Sequence, residues 1–287
     1  DPITFATEEI GWYALQVNAN DLAVRGARPR WFLATLLLPE SAATDDSVEK
    51  LFAELGQACA ELRVSLVGGH TEVTHGLNRP IVVGTMLGEV EKEKLVTTSG
   101  ARVGDMVLLT KGIPLEGAAI IAREKRAELE ERGVPVALIE RARRLLHQPG
   151  ISVVPEALLA CELAPVHSMH DPTEGGLATA CWELAQAAQV GLRIERERLP
   201  ILPEGARLCG EFGLDPLGTI ASGALLLTLA PSDAATVLHA CAREGISCAF
   251  VGRVVPKEEG VVLVERGQPA PMPRFPQDEV TKIFAEG

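Results

Sequence analysis

Met169-His170-Asp171-Pro172-Thr173-Glu174-Gly175-Gly176 is the stretch that decides the fold class. An apolar strand from Val166 ends in the carboxylate of Asp171, and Pro172 and Thr173 can start a helix whose pattern continues from Gly175 to Ala188. A strand that hands over directly to a helix presents Asp171 at the strand's carboxyl end, where open α/β proteins hold their ligands. A capping role for Asp171 or Thr173 is the other reading of the same residues.

Outward from this junction, helix and strand signals alternate, which predicts an α/β (α+β) chain rather than an all-helical one. Toward the N-terminus, Glu8 to Arg25 suits a helix closed by Gly26, and a strand follows through Trp31 to Leu38. Asp45 to Leu62 is an amphipathic helix with Asp45 and Asp46 as cap candidates. A short strand, Val64 to Val67, runs into a turn at Gly68-Gly69-His70-Thr71-Glu72, and a longer strand covers Pro80 to Val90. The turn cluster Gly100 to Asp105 precedes a strand at Met106 to Thr110, so the domain boundary is placed near residue 97, giving domains 1–97 and 98–287. Helices are then expected at Leu115 to Arg132, Val134 to His147, Val153 to Cys161 and Gly175 to Ala188. From Gly267 the tail holds too many prolines for a regular element.

Composition narrows the function. A chain of 287 residues fits two domains at about 150 residues each. With 47% hydrophobic and 23% charged residues it is not a disordered sequence. The net charge of -12 is shared by both parts and argues against a nucleic-acid partner, which would call for a basic face. No apolar run approaches the roughly 20 residues of a membrane helix. Six scattered cysteines without a C-x-x-C pattern read as reduced core thiols of a cytoplasmic protein. The chain opens on Asp1 rather than Met, so a processed, cut or missing leader is expected.

Four places combine carboxylates or glycines with a strand-to-helix junction, which suits Mg²⁺ and phosphate because helix N-termini expose unpaired N–H groups. The first is Asp1 with Asn18-Ala19-Asn20-Asp21, where Asp21 could equally be a solvent-facing helix residue. The second is Gly68 to Glu72, whose alternative is a tight turn with an incidental His70. The third is the Asp171 junction. The fourth is Thr110-Lys111-Gly112-Ile113-Pro114-Leu115-Glu116-Gly117, strand to loop to helix, with Lys111 either a phosphate contact or a surface lysine. No P-loop, Rossmann fingerprint, G-x-S-x-G or H-E-x-x-H pattern is present.

In order and spacing these places, with Gly26-Ala27, Pro29, Gly100 to Asp105 and Ser222-Gly223-Ala224-Leu225-Leu226, resemble a known superfamily. Its members are aminoimidazole ribonucleotide (AIR) synthase, selenophosphate synthetase, thiamine-monophosphate kinase and the hydrogenase maturation factor that dehydrates a carboxamide. The motif wording is most similar to the hydrogenase-factor branch.

The resemblance implies an N-terminal α/β domain whose sheet pairs with a second copy's into a barrel, a larger C-terminal α/β domain, and ATP with Mg²⁺ in the cleft between the two. Asp1, Asp21 and Asp171 match the family's metal ligands. His70 stands where the kinase branch has Asp and the selenophosphate branch has His. By the same resemblance Asn20, Gly68, Gly69, Thr71, Lys111, Glu116, Gly117, Glu174, Gly175 and Gly176 are the ATP and phosphate contacts. The implied activity is ATP- and Mg²⁺-dependent phosphoryl transfer, or ATP-driven dehydration of a small-molecule or carbamoyl-type substrate, by a homodimer with a possible protein partner in a maturation pathway. The implied alternatives are a selenophosphate synthetase-like or thiamine-monophosphate kinase-like enzyme and a catalytically silent nucleotide-binding partner. The last is prompted by Pro273-Arg274-Phe275-Pro276, which stands where the hydrogenase factor has Pro-Arg-x-Cys.

Overall fold

A computed structural model of the chain describes residues 2–3 and 9–284, and the chain divides into two compact units, Asp1–Leu95 and Val96–Gly287. The N-terminal unit runs β1 (Pro2–Ile3), α1 (Ile10–Ala23), β2 (Arg28–Pro39), α2 (Asp45–Leu62), β3 (Ser65–Thr74) and β4 (Ile81–Glu89). Its sheet has the order β1-β4-β2-β3, with β3 parallel to β2 and β4 antiparallel to it, so α2 is the crossover helix of a βαβ unit. Strand β2 shows the period that sets its faces: Phe32, Ala34, Leu36 and Leu38 are buried, whereas Trp31 is exposed and Leu33, Thr35 and Leu37 are half-buried. Helix α2 starts at a capping box. Thr44 accepts from Ser47 N at 3.2 Å and Ser47 Oγ accepts from Thr44 N at 3.0 Å, so Thr44 is the cap, and Asp45 and Asp46 instead place negative charge in the first turn.

One expectation fails here. Gly68 to Glu72 is not a turn but the middle of β3, paired with Leu33 to Leu37 of β2. The register slips once, between Phe32 and Leu33, leaving Val67 as the extra residue of a bulge. Gly69 is required at this point by the sheet itself: its φ is +148° and a Cβ would lie 1.9 Å from the carbonyl oxygen of Ala34.

The C-terminal unit follows with β5 (Met106–Thr110), α3 (Leu115–Glu124), α4 (Arg126–Glu131), α5 (Val136–Arg144), α6 (Val154–Leu163), β6 (Val166–His170) and α7 (Gly176–Ala188). It continues with β7 (Gly191–Glu195), α8 (Pro203–Glu211), β8 (Leu226–Leu229), α9 (Pro231–Arg243), β9 (Cys248–Val255), β10 (Val261–Glu265) and β11 (Gln268–Pro271). The strand order is β11-β10-β7-β9-β5-β8-β6, with only β10 and β7 parallel. Val107, Leu109, Leu192, Ile194, Leu226 and Val251 of the sheet pack with Leu177, Cys181 and Leu184 of α7. A second core joins Ile121, Leu129, Ile139 and Leu208 of the helices to Val280 and Ile283 of the tail.

The expected long helix from Leu115 is broken, because Lys125 leaves helical geometry (φ -111°, ψ 22°) and separates α3 from α4. The proline-rich tail does hold a regular element. Strand β11 pairs Pro269 with Val264 and Pro271 with Val262 at the edge of the sheet, where a missing N–H costs least.

Candidate functional site

Four segments meet in the C-terminal unit: the start of α3, the β6–α7 turn, the loop from Asp215 to Gly223, and the tail at Asp278. Gly175 and Gly176 both take left-handed φ, +75° and +61°, which ends the strand and starts α7 without a side-chain cap. A Cβ on Gly176 would lie 2.6 Å from the carbonyl oxygens of Leu217 and Thr219, and one on Gly117 would lie 2.4 Å from Thr219 Cγ2. The N–H groups of these glycines are all used internally. Gly117 donates to Ile220 O at 2.9 Å, Gly176 to Thr173 O at 2.9 Å, and Gly175 to Asp278 Oδ2 at 2.7 Å. Gly117, Gly175 and Gly176, expected as ATP and phosphate contacts, let four chain segments close on one another here.

Asp278, which sequence reasoning missed, accepts from Gly175 N at the start of α7. Its carboxylate also accepts from Val280 N at 2.8 Å, capping the short helical turn Glu279–Ile283. Burial raises Asp278 above the usual carboxylate range, against the backbone donors of Val280, Gly175 and Ile220. Beside it, Glu279 accepts from Asp215 N at 3.1 Å, and Asp215 accepts from Leu217 N at 2.9 Å. The one sequence signal for this clamp was an Asp ahead of a short apolar-periodic run.

Lys111 is not the surface lysine of the alternative reading. It sits at φ +54°, buried, and its ammonium donates to Gly150 O and Ser152 O and pairs with buried Glu156 at 2.9 Å. An ammonium has three donors, and here all three are occupied, so Lys111 ties its loop to the segment from Gly150 to Glu156. Thr110 Oγ1 completes the cluster by donating to Glu156 at 3.3 Å and accepting from Leu225 N at 3.0 Å.

Glu116 lies in the first turn of α3 and is 1% exposed. Neither of its carboxylate oxygens completes a hydrogen bond. Burial pushes its carboxyl up to about 7; Ser222 and Arg123 oppose the rise, and the charges of Glu174 and Asp278 add to it. Glu174 itself is exposed, and Asp171 is buried at the end of β6. Next to Asp171, His170 donates toward Glu183 across 2.7 Å. Burial pulls its pKa down, but the hydrogen bond to Glu183 and the charges of Asp171 and Glu183 outweigh it and leave it raised.

In the N-terminal unit the expected residues lie on separate elements. Asn20 is fully buried in α1 and Asp21, next to it, is exposed. Gly68, Gly69, His70, Thr71 and Glu72 are all exposed on β3, with His70 and Glu72 3.4 Å apart on one face. Asp1 lies outside the described residues. Among the described residues no three His, Cys, Asp or Glu side chains stand together as a metal site. No helix among the described residues is long and apolar enough to cross a membrane.

A chain of two α/β units with this junction is defined in class by its family. Residues 1–90 match AIR synthase related protein, N-terminal domain, residues 102–265 match AIR synthase related protein, C-terminal domain, and the chain belongs to this family. It is similar to the carbamoyl dehydratase HypE of Rhizobium leguminosarum bv. viciae, 30% identical over 258 residues that cover 88% of this chain and 70% of that protein. Its fold is similar to that of hydrogenase maturation protein HypE in complex with ATP, with a TM-score of 0.80, 23% identity, and 98% and 85% of the two chains covered. It is likewise similar in fold to a chain of a HypE-HypF complex, with a TM-score of 0.74, 22% identity, and 92% and 84% covered.

Proposed function

We propose that this chain is an ATP-dependent enzyme that takes MgATP as a substrate. It transfers a phosphoryl group to a small molecule and, where the acceptor is a carbamoyl-type group, drives its dehydration. The observation that carries this reading is the match over both family domains together with the 30% identity to a protein named carbamoyl dehydratase. A fold shared with a HypE–ATP complex supports nucleotide binding.

The chemistry asks for little more than positioning and charge stabilisation of the transferring group. Asp171, held at the end of β6, and Asp21, exposed on α1, are oxygen donors of the kind that a hard divalent cation takes. Gly68 and Thr71 remain the proposed phosphate contacts on β3. The half-exposed apolar face of the N-terminal sheet, with Trp31 at 39% and Leu87 at 50% exposure, supports a homodimer built through it. A protein partner in a maturation pathway is supported by the similarity to the HypE-HypF complex.

The test is isothermal titration with ATP and Mg²⁺, on a preparation expected to sediment as a dimer at micromolar concentration. Binding by the wild type that is lost, or weakened at least about tenfold, in Asp171→Asn and Asp21→Asn is expected, a change worth about 1.4 kcal/mol or more. No binding, or equal binding by both variants, would sink the reading.

One observation favours a second reading, a nucleotide-binding partner without turnover. Pro276 stands where the hydrogenase factor has its Cys, and the tail around it is tied down: Arg274 stacks over Trp182 at 3.7 Å, and Asp278 is held by Gly175. ATP binding without ADP release across a panel of carbamoyl compounds is the outcome that selects it.

A further inference from the structure

The acidic residues of the C-terminal junction differ in one respect. Asp278 accepts from Gly175 N and Val280 N, Glu279 accepts from Asp215 N, and Asp215 accepts from Leu217 N. Glu116 is as deeply buried as any of them, yet neither of its oxygens meets a donor in good hydrogen-bond geometry, and the nearby Ser222 hydroxyl acts on the carboxyl without completing such a bond. A buried polar group left unpaired is costly, and a Leu or Met side chain would fill the same helix position without that cost. A fold retains such a group where a ligand completes it.

The charges around Glu116 narrow what that ligand brings. From the β6–α7 turn Glu174 faces it, from the tail Asp278, from the loop before β8 the hydroxyl of Ser222, and from its own helix Arg123. Two further carboxylates disfavour a phosphate oxygen in direct contact with Glu116 itself, since a third anion adds to the repulsion, whereas a neutral acceptor lying between Glu116 and a phosphate is not repelled. The same residues do not form a cation site, because no three acidic, His or Cys side chains are grouped for one among the described residues. What remains is a group that brings a proton. An O–H or N–H donor satisfies an empty carboxylate oxygen, and a carboxyl poised near neutrality can take the proton and give it up again.

We propose that Glu116 is the proton acceptor of the reaction: its carboxylate takes the proton from the O–H or N–H of the small-molecule acceptor as the acceptor oxygen is phosphorylated. This rests on the ATP-dependent reading above. In the step, the bond between the acceptor oxygen and the γ-phosphorus of ATP forms, and the bond from that phosphorus to the bridging oxygen breaks. ADP leaves with the electron pair, and the proton ends on Glu116. With a carboxamide acceptor the proton lost is an N–H proton and the product is the O-phosphorylated imidate; with water it is orthophosphate. No oxidant or reductant enters.

The experiment uses the full chain with ATP and Mg²⁺, water as the acceptor, and ADP release followed from pH 5.5 to 8.5. Infrared difference spectra of the protonated carboxyl are recorded over the same range. In the wild type, ADP release should rise with pH through about 7, as the carboxyl ionises, and a carboxyl band present at pH 6 should fade by pH 8. Glu116→Gln should lower kcat by about 100-fold or more, leave KM for ATP within about twofold, and remove both the pH limb and the band. Glu116→Asp should restore part of the rate and return the pH limb, and ATP-induced thermal shifts equal to the wild type's will show that both variants are folded. Turnover and pH limb unchanged in Glu116→Gln, or no carboxyl band sensitive to that substitution, overturns the proposal alone. Failure of the wild type to bind ATP overturns the ATP-dependent reading and this step with it.

Discussion

Gly68-Gly69 and Gly175-Gly176 are the same dipeptide set among His, Thr and Glu, and the two regions use it in opposite ways. In β3 it lies in an exposed edge strand, and the second glycine has φ +148° so that the backbone can press against Ala34. At the β6–α7 turn it lies in a buried junction, both residues are left-handed, and four chain segments converge on them. A glycine pair beside polar residues thus signals close backbone approach in both regions. Whether the approaching backbone is a neighbouring strand or a set of loops is decided by pairing far away in sequence.

Gly176→Ala tests the buried half of this contrast and should have the largest effect. The added Cβ meets the carbonyl oxygens of Leu217 and Thr219 at 2.6 Å, and neither can retreat, because Leu217 O also accepts from Ala178 N. Left-handed strain adds to the clash, so a loss of about 4 kcal/mol is expected. Urea unfolding followed by Trp182 fluorescence measures it, since Trp182 lies on the helix that Gly176 starts. A loss below about 1 kcal/mol would mean that the junction is as yielding as the edge strand.

Glu116→Gln sharpens the same contrast through charge. Its folded pKa is raised from 4.5 to about 7, so its neutral form favours the fold below pH 4.5, and that advantage is lost as pH rises through 7. Replacing the carboxyl should leave stability near the wild-type value at pH 4.5 and add up to about 3 kcal/mol at pH 8, at about 1.4 kcal/mol for each tenfold change in proton affinity. Thermal or urea unfolding at the two pH values gives the difference directly. Equal effects at both would show that Glu116 is solvated.

The legibility of the two regions follows from the same physics. The β6–α7 junction was readable because the pattern changes from strand to helix within six residues and the special residues fall at the change. Strand β3 was not readable, because all but one of its ten residues are exposed and no alternation marks its faces, while Gly-Gly in the middle mimics a turn. The prolines of β11 hid an edge strand, whose outward backbone can do without an N–H. At the site, Asp171 and Glu116 were visible as carboxylates next to helix starts. Asp278 was not, because its partner Gly175 lies 103 residues earlier and the clamp exists only after the tail has crossed the C-terminal unit. Lys111 was visible as a lysine in a loop, but Glu156, which holds it, sits on a different helix.

Gly69→Ala tests the exposed half. The Cβ would start 1.9 Å from Ala34 O, a worse contact than any at Gly176, yet the cost should be smaller. Strand β3 has a neighbour on one side only and can move away from β2, giving up the local ladder hydrogen bonds while the rest of the pairing from Thr71 to Thr74 holds. A loss of about 2 kcal/mol is expected, the sum of one or two hydrogen bonds at about 1 kcal/mol each. It should appear as faster hydrogen exchange confined to residues 66–71 and their partners on β2. Exchange that rises instead across α1 and α2 would show that β3 is held as rigidly as the β6–α7 turn, and that the two glycine pairs differ in exposure but not in what they support.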